Sequence, residues 1–295
     1  MKNRVLILAS LWLFAACAGT RRDIRLTSEP SIERALDIVQ GTPEGKTLVR
    51  FLYDNPVRFE YSNTPGLCHK FSLKTGRIYL PLDYRGSDLL LALTIARAAH
   101  IYRLYLDTGL DEIISEEEEL GALFQDRLAL ELNLVTADFD KTNGAAGLKT
   151  GFCSYVLENS KYAMFQARKA ALAPDPECQH PLETLENQRV WLEKTREAIN
   201  EENFYQLVYE RDMDRVRKGA MPMSEAMKND ATLRAMPTYE VYRFQRTFYD
   251  RQSDIFTRFE KVYAKEVQAD ASWRAAHQED LDRAREEFSA CELPR

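Results

Sequence analysis

Histidine is scarce in this chain: four residues in 295, His69, His100, His180 and His277. With so few, a catalytic or metal site built on imidazoles has little to draw on. Glycine (12) and proline (11) are also few, which excludes collagen-like and low-complexity classes. No G-x-S-x-G, P-loop or G-x-G-x-x-G is present, so the common hydrolase elbow and nucleotide cradles are missing. Lys and Arg are interspersed with acids at a net charge of −6, and no basic face marks a nucleic-acid partner. No internal repeat of fixed period occurs. The five cysteines follow no zinc-ligand spacing. The apolar run at the N-terminus, Val5 to Ala16, is too short to span a bilayer.

What is present is enough apolar residue, 45%, for a sizeable core of one large or two smaller domains. Residues 1–16 combine Lys2 and Arg4 with that short apolar run, the layout of a secretory signal. Its end, Phe14-Ala15-Ala16-Cys17, resembles a bacterial lipobox, with Phe14 where the family prefers an aliphatic residue. The resemblance implies cleavage before Cys17, acylation of Cys17 and a lipid-anchored envelope protein. Ala18, in place of an aspartate, then favours the outer membrane, and the bilayer becomes a partner through the acylated Cys17. The alternative is an ordinary signal peptide followed by a stray cysteine. Loss of Lys2 and Arg4 with the leader leaves 38 cations against 46 carboxylates, a net charge of −8. Cys68, Cys153, Cys178 and Cys291 then remain: two disulfides with three possible pairings, or four free thiols.

The patterning predicts a mainly α (α+β) fold. Residues 17–30 read as a tether. Ser31 is placed to cap a helix carrying Ile32, Ala35, Leu36 and Val39, and a second helix follows Pro43. Residues 57–61, 67–73 and 77–82 read as a small antiparallel sheet, with a hairpin turn at Lys74-Thr75-Gly76. Ser87-Asp88 opens a helix that is apolar almost all round, and hence central. Ser115 and Glu118 form a capping-box pattern for the next helix. Residues 137–152 read as a loop whose Asn143 and Lys149 do not suit calcium. Residues 154–172 and most of 182–290 read as helical, with breaks near Gly219–Pro222 and Pro237. In the last helix Tyr242, Tyr249, Phe256 and Tyr263 recur every seven residues, beside Val241, Phe248, Ile255 and Val262. That is a packing seam, in-chain or between chains. The division is 31–152 as an α+β domain and 153–295 as a helical bundle or long hairpin.

One constellation concerns chemistry. Zinc peptidases of the H-E-x-x-H type place two histidines one helical turn apart, with a glutamate base between them, and take a third ligand from a later helix. Here 96-ARAAH-100 lies where that motif would be, and eighteen residues separate His100 from Glu119. A small sheet precedes the helix, and a glycine break and an acid-led helix follow it. Over residues 43–136 this layout resembles a zincin-like metallopeptidase core in degenerate form. His100 and one acid of Glu116–Glu119 match; Ala96 and Arg97 depart at the first ligand and the base. Alanine cannot ligate, and guanidinium does not deprotonate. The resemblance thus implies a pseudoenzyme core that needs no cofactor, with Arg97 paired to the acidic run. The surviving zinc hydrolase, with His100 and Glu119 as ligands acting on envelope peptides, is the alternative. A third reading is a core histidine and a solvated acidic helix start. The expectation is a non-catalytic envelope protein that binds a partner, an unidentified envelope protein, or supports an envelope assembly, with the helical half and its aromatic seam as the interaction surface.

Overall fold

A computed structural model describes residues 25–62, 71–72, 76–110, 114–142, 145–157, 184–201 and 204–291. The leader, Cys17, Cys68 and Cys178 lie outside the described residues. The fold is mainly helical with one small sheet.

Helix α1 (Pro30–Gln40) starts at Pro30 rather than at a Ser31 cap. Proline's fixed φ suits the first helical position, and the Ser31 hydroxyl bonds Tyr61 Oη at 2.7 Å. Helix α2 (Pro43–Asp54) is capped by Thr42, whose Oγ1 accepts from Gly45 N at 3.1 Å. A side chain at Gly45 would overlap the Val39 carbonyl, so the tight α1–α2 corner requires glycine. Strands β1 (Arg58–Ser62), β2 (Phe71–Ser72) and β3 (Arg77–Pro81) form a sheet in the order β1-β3-β2. The sheet is mixed, not antiparallel: β2 pairs antiparallel with β3, but β1 runs parallel to β3, Phe59 opposite Ile78. A tight turn fixes direction only for the strands it joins, and β1 and β3 are not consecutive. Phe59, Ile78 and Leu80 point into the core.

Helix α3 (Asp88–Thr108) is the centre of the molecule. Ser87 caps it by accepting from Leu90 N at 3.3 Å, and Gly109 ends it at φ +79°. Every residue from Leu90 to Ile101 is buried. The helix is long and apolar enough to cross a membrane, yet here α1, α2, α4 and α10 surround it. Helix α4 (Ser115–Glu131) lies alongside. Gly121 allows this contact: a Cβ there would meet Ile101 Cδ1 at 2.8 Å. Ile114, not Ser115, occupies the N-cap, and Glu118 turns inward instead of back to the cap. Asn133, at φ +52°, takes the chain out of this helix.

The segment expected as a loop, 137–152, is largely helical: α5 (Thr136–Asp140) and α6 (Ala146–Leu157). Asp138 caps α5 by accepting from Val135 N at 3.0 Å, and Lys149 binds Asp140 at 2.7 Å. Phe139 and Phe152 stack near Phe288, so apolar burial overrides the Asp- and Gly-rich composition. The boundary expected at 152–153 therefore cuts α6, whose Phe152, Cys153 and Tyr155 belong to the same core as α3. Cys153 and Cys291 are joined as a disulfide.

The C-terminal half comprises α7 (Leu185–Glu201), α8 (Phe204–Arg217), α9 (Met223–Arg234), α10 (Pro237–Ala276) and α11 (Gln278–Glu287). Pro237 starts α10, again at the first helical position. The later part of α10 enters the core through Ile255, Phe256 and Phe259. Its earlier part runs outward beside α7, and α8 and α9 fold against each other beyond it. This projecting arm spans 185–250.

Candidate functional site

The α3–α4 contact brings Arg97 to the acidic run. Arg97 Nη2 donates to Glu118 Oε2, and both side chains are buried. Glu118 and Gly121 lie one turn apart on the face of α4 that meets α3, because residues i and i+3 share a face. The neighbouring acids point elsewhere. Glu119 Oε2 accepts from the Tyr263 hydroxyl of α10 at 2.7 Å. Burial, followed by this carboxylate, pushes the Tyr263 phenol well up. Glu116 accepts from Leu185 N at 3.0 Å and so holds the start of α7. Glu117 is buried as well. One acidic helix start thus fastens three elements, α3, α7 and α10, to α4.

His100 is fully buried and stacks on Phe124, with ring centroids 4.7 Å apart. Its Nδ1 lies 3.2 Å from Arg103 Nη2. Arginine only donates, so Nδ1 is the acceptor and the proton is assigned to Nε2. Burial, with Arg103 and Arg127 nearby, drives the imidazole pKa well below its usual range. His100 is a neutral core histidine facing Phe124 and Arg103, whereas Glu119 is engaged by Tyr263. These residues do not fit zinc. Ala96 offers no donor, Arg97 sets a cation against Glu118, and among the described residues no three His, Cys, Asp or Glu side chains are grouped to hold a metal ion. Three ligands are the least a catalytic zinc uses.

A second buried polar group gives no separate motif in the sequence. Arg127 Nε lies 3.2 Å from Glu44 and 3.8 Å from Asp270. The Tyr155 hydroxyl donates to Asp270 at 3.2 Å, and Arg274 Nη1 donates to the Tyr155 carbonyl at 2.9 Å. Arg103 adds a contact to Glu266 at 3.3 Å. The heptad spacing contained the signal: seven residues beyond Tyr263 stands Asp270, and seven beyond Phe259 stands Glu266. Asp270 is buried at its seam position and needs the buried Arg127 beside it, whereas Glu266 and Arg103 are half-exposed.

The aromatic seam itself divides in two. Ile255, Phe256 and Phe259 are at most 3% exposed, whereas Val241 is 57% and Phe244 72% exposed. Trp191 of α7 meets Phe248 edge-on at 6.1 Å, and Tyr205 of α8 packs on Tyr239 and Tyr242. Even so, Leu207 and Met227 remain 61% and 66% exposed. Most of the large exposed apolar side chains among the described residues lie on the arm; Tyr53, Leu82, Leu106 and Val135 are those elsewhere. No family model, curated protein or solved structure matches this chain.

Proposed function

We propose that this is a non-catalytic, lipid-anchored protein of the bacterial cell envelope, favouring the outer membrane, that binds a protein partner through its helical arm. The observation that carries the reading is the concentration of exposed large apolar side chains on α7–α10, with Val241, Phe244 and Phe248 in line on one face of α10. The lipobox-like end at Cys17 supports the anchor. The Cys153–Cys291 disulfide supports an oxidising compartment. Pairing of Arg97 with Glu118, and the sealed neutral His100, support a core without hydrolytic work.

Two measurements test it. In a bacterial host, the full chain is expected in the membrane fraction carrying a metabolically incorporated fatty acid, and Cys17→Ser is expected to lose both. After zinc loading in detergent and desalting, elemental analysis is expected to find no retained zinc. Stoichiometric zinc that disappears in His100→Ala would overturn the non-catalytic reading.

A further inference from the structure

The proposed function leaves the partner open, and the arm narrows it. The exposed residues Val241, Phe244 and Phe248 of α10 are spaced by three and four. The same spacing continues through Arg251 to Ile255, which is 3% exposed. A three-four alternation of apolar positions is the seam of a coiled coil and calls for another helix. The protein's own core covers the seam from Ile255 onward; before that it is open. Along α10 (Pro237–Ala276) the open part begins about 21 Å before Ile255 and reaches to about 10 Å from it.

Charge decides what kind of helix fits. Residues 185–250 hold 11 Lys and Arg against 12 Asp and Glu, a net charge of −1 where the whole chain has −6. Many of these charges are already paired within their own helices, as in Arg243–Glu240 at 3.1 Å, Arg246–Asp250 at 3.2 Å and Arg234–Asp230 at 2.8 Å. A surface of this kind has no net field to recruit a nucleic acid or an anionic bilayer. It also does not repel its own copy. On the two helices of the seam, Val190, Trp191, Val241, Phe244 and Phe248, each at least 40% exposed, present roughly 500 Å² of apolar surface. A stable pair buries about 800 Å² per partner, a little over half of it apolar.

We infer that the arm is a self-association surface. Two copies pair their α10 helices antiparallel about a two-fold axis near Phe244, and α7 of each copy flanks the seam. This rests on the partner-binding reading and names the partner as a second copy of this chain.

A photo-reactive phenylalanine analogue in place of Phe244, in the full chain within intact cells, tests it. Tyr53, 49% exposed and outside the arm, is the control position. Irradiation is expected to yield an adduct of twice the chain mass from position 244 and none from position 53. Its digest should contain cross-links from α10 to α10 of the second copy. Phe244→Glu with Phe248→Glu, under a probe at Val241, should lower that yield about tenfold or more. Far-UV circular dichroism should stay unchanged, since Phe244 is 72% and Phe248 42% exposed and neither belongs to the core. An adduct with a different protein overturns self-association and leaves partner binding in place. No intermolecular adduct at all, including one closed within the chain, overturns both.

Discussion

From Leu90 to Ile101 of α3 every residue is buried; from Val241 to Phe248 of α10 none is. Both stretches carry large apolar side chains, but 241–248 interleaves Arg243, Gln245, Arg246 and Thr247 with them, and composition alone does not say how deeply its apolar residues are covered. Enclosure does. Four helices surround α3, whereas the outer part of α10 has α7 on one side and α8 and α9 at its start. The ion pairs divide in the same way. In the core they are buried and join distant elements: Arg97 to Glu118, and Arg127 to Glu44 and Asp270. In the arm most are exposed and sit three or four residues apart on one helix, as with Arg234–Asp230 and Arg246–Asp250, although Asp212 is buried against Arg211 and Asn229. Exposed pairs of that kind contribute roughly 0–1 kcal/mol each. The core is therefore specified by tertiary contacts, while the arm is specified as helices by local sequence. Its most exposed apolar residues add little to the stability of the single chain.

The sharpest way to break this contrast is inside the core. Glu118→Ala removes the carboxylate facing Arg97 and leaves a buried guanidinium without it; a loss of about 3–5 kcal/mol is expected, read by urea unfolding. A loss under about 1 kcal/mol would show that water reaches Arg97 and that this part of the core is open.

A matched pair of phenylalanines sharpens it next. Phe259→Ala, at 0% exposed, should cost about 3–5 kcal/mol. Phe244→Ala, at 72% exposed on the same helix, should stay within about 0.5 kcal/mol for the unassociated chain. Comparable losses at the two sites would mean that the arm is as much a part of the core as α3 is.

The central helix, its serine cap at Ser87 and its stop at Gly109 were legible because an all-round apolar pattern has few other homes. The pairing of Arg97 with the acidic run was legible from spacing and charge. Which acid pairs was not: the eighteen-residue spacing singled out Glu119 only with respect to His100, and helix phase puts Glu118 on the face of Gly121 and turns Glu119 toward Tyr263. Strand direction was illegible because β1 meets β3 only after another strand intervenes. The helices of 136–157 were hidden by Asp, Asn and Gly, whose local preference yields to the packing of Phe139, Phe152 and Phe288. Ser31 and Ser115 carry capping signatures, yet proline displaces the first, and inward-turned Glu118 leaves the second without its box partner. The arm's helices were readable from periodicity. Its exposure was not, since exposure depends on what else the fold brings near.

Cys291→Ser opens the tie between α6 and the C-terminus, a loop with a sequence separation of 138. A cost of about 2–4 kcal/mol is expected. Because Phe288 sits in the core beside Phe139 and Phe152, the effect should appear as a lower global melting temperature, with the arm's helicity lost no earlier than the rest. Separate melting of the arm would instead place the disulfide's effect outside the core.

The smallest effect has an unusual sign. Burial pushes the Glu44 carboxyl above its ordinary value of 4.5, opposed by Arg127 and Arg103 and reinforced by Glu131 and Glu266. Glu131 is raised for the same first reason, with Thr42 opposing. A carboxyl whose folded pKa exceeds its unfolded pKa binds more protons when folded. Its contribution is therefore fully present below the unfolded value and is lost as pH rises through the folded one. Glu44→Gln keeps the shape and removes this titration. The variant is expected to melt higher than the native chain at pH 7.5 and to match it at pH 3.5, below the unfolded value, so its stability should fall less steeply over that interval. Arg127 keeps Asp270 as a second carboxylate, which is why removing the Glu44 charge is tolerated. A lower melting temperature for Glu44→Gln at pH 7.5 would show instead that the attraction to Arg127 outweighs desolvation, and that this pair stabilises the core as Arg97–Glu118 does.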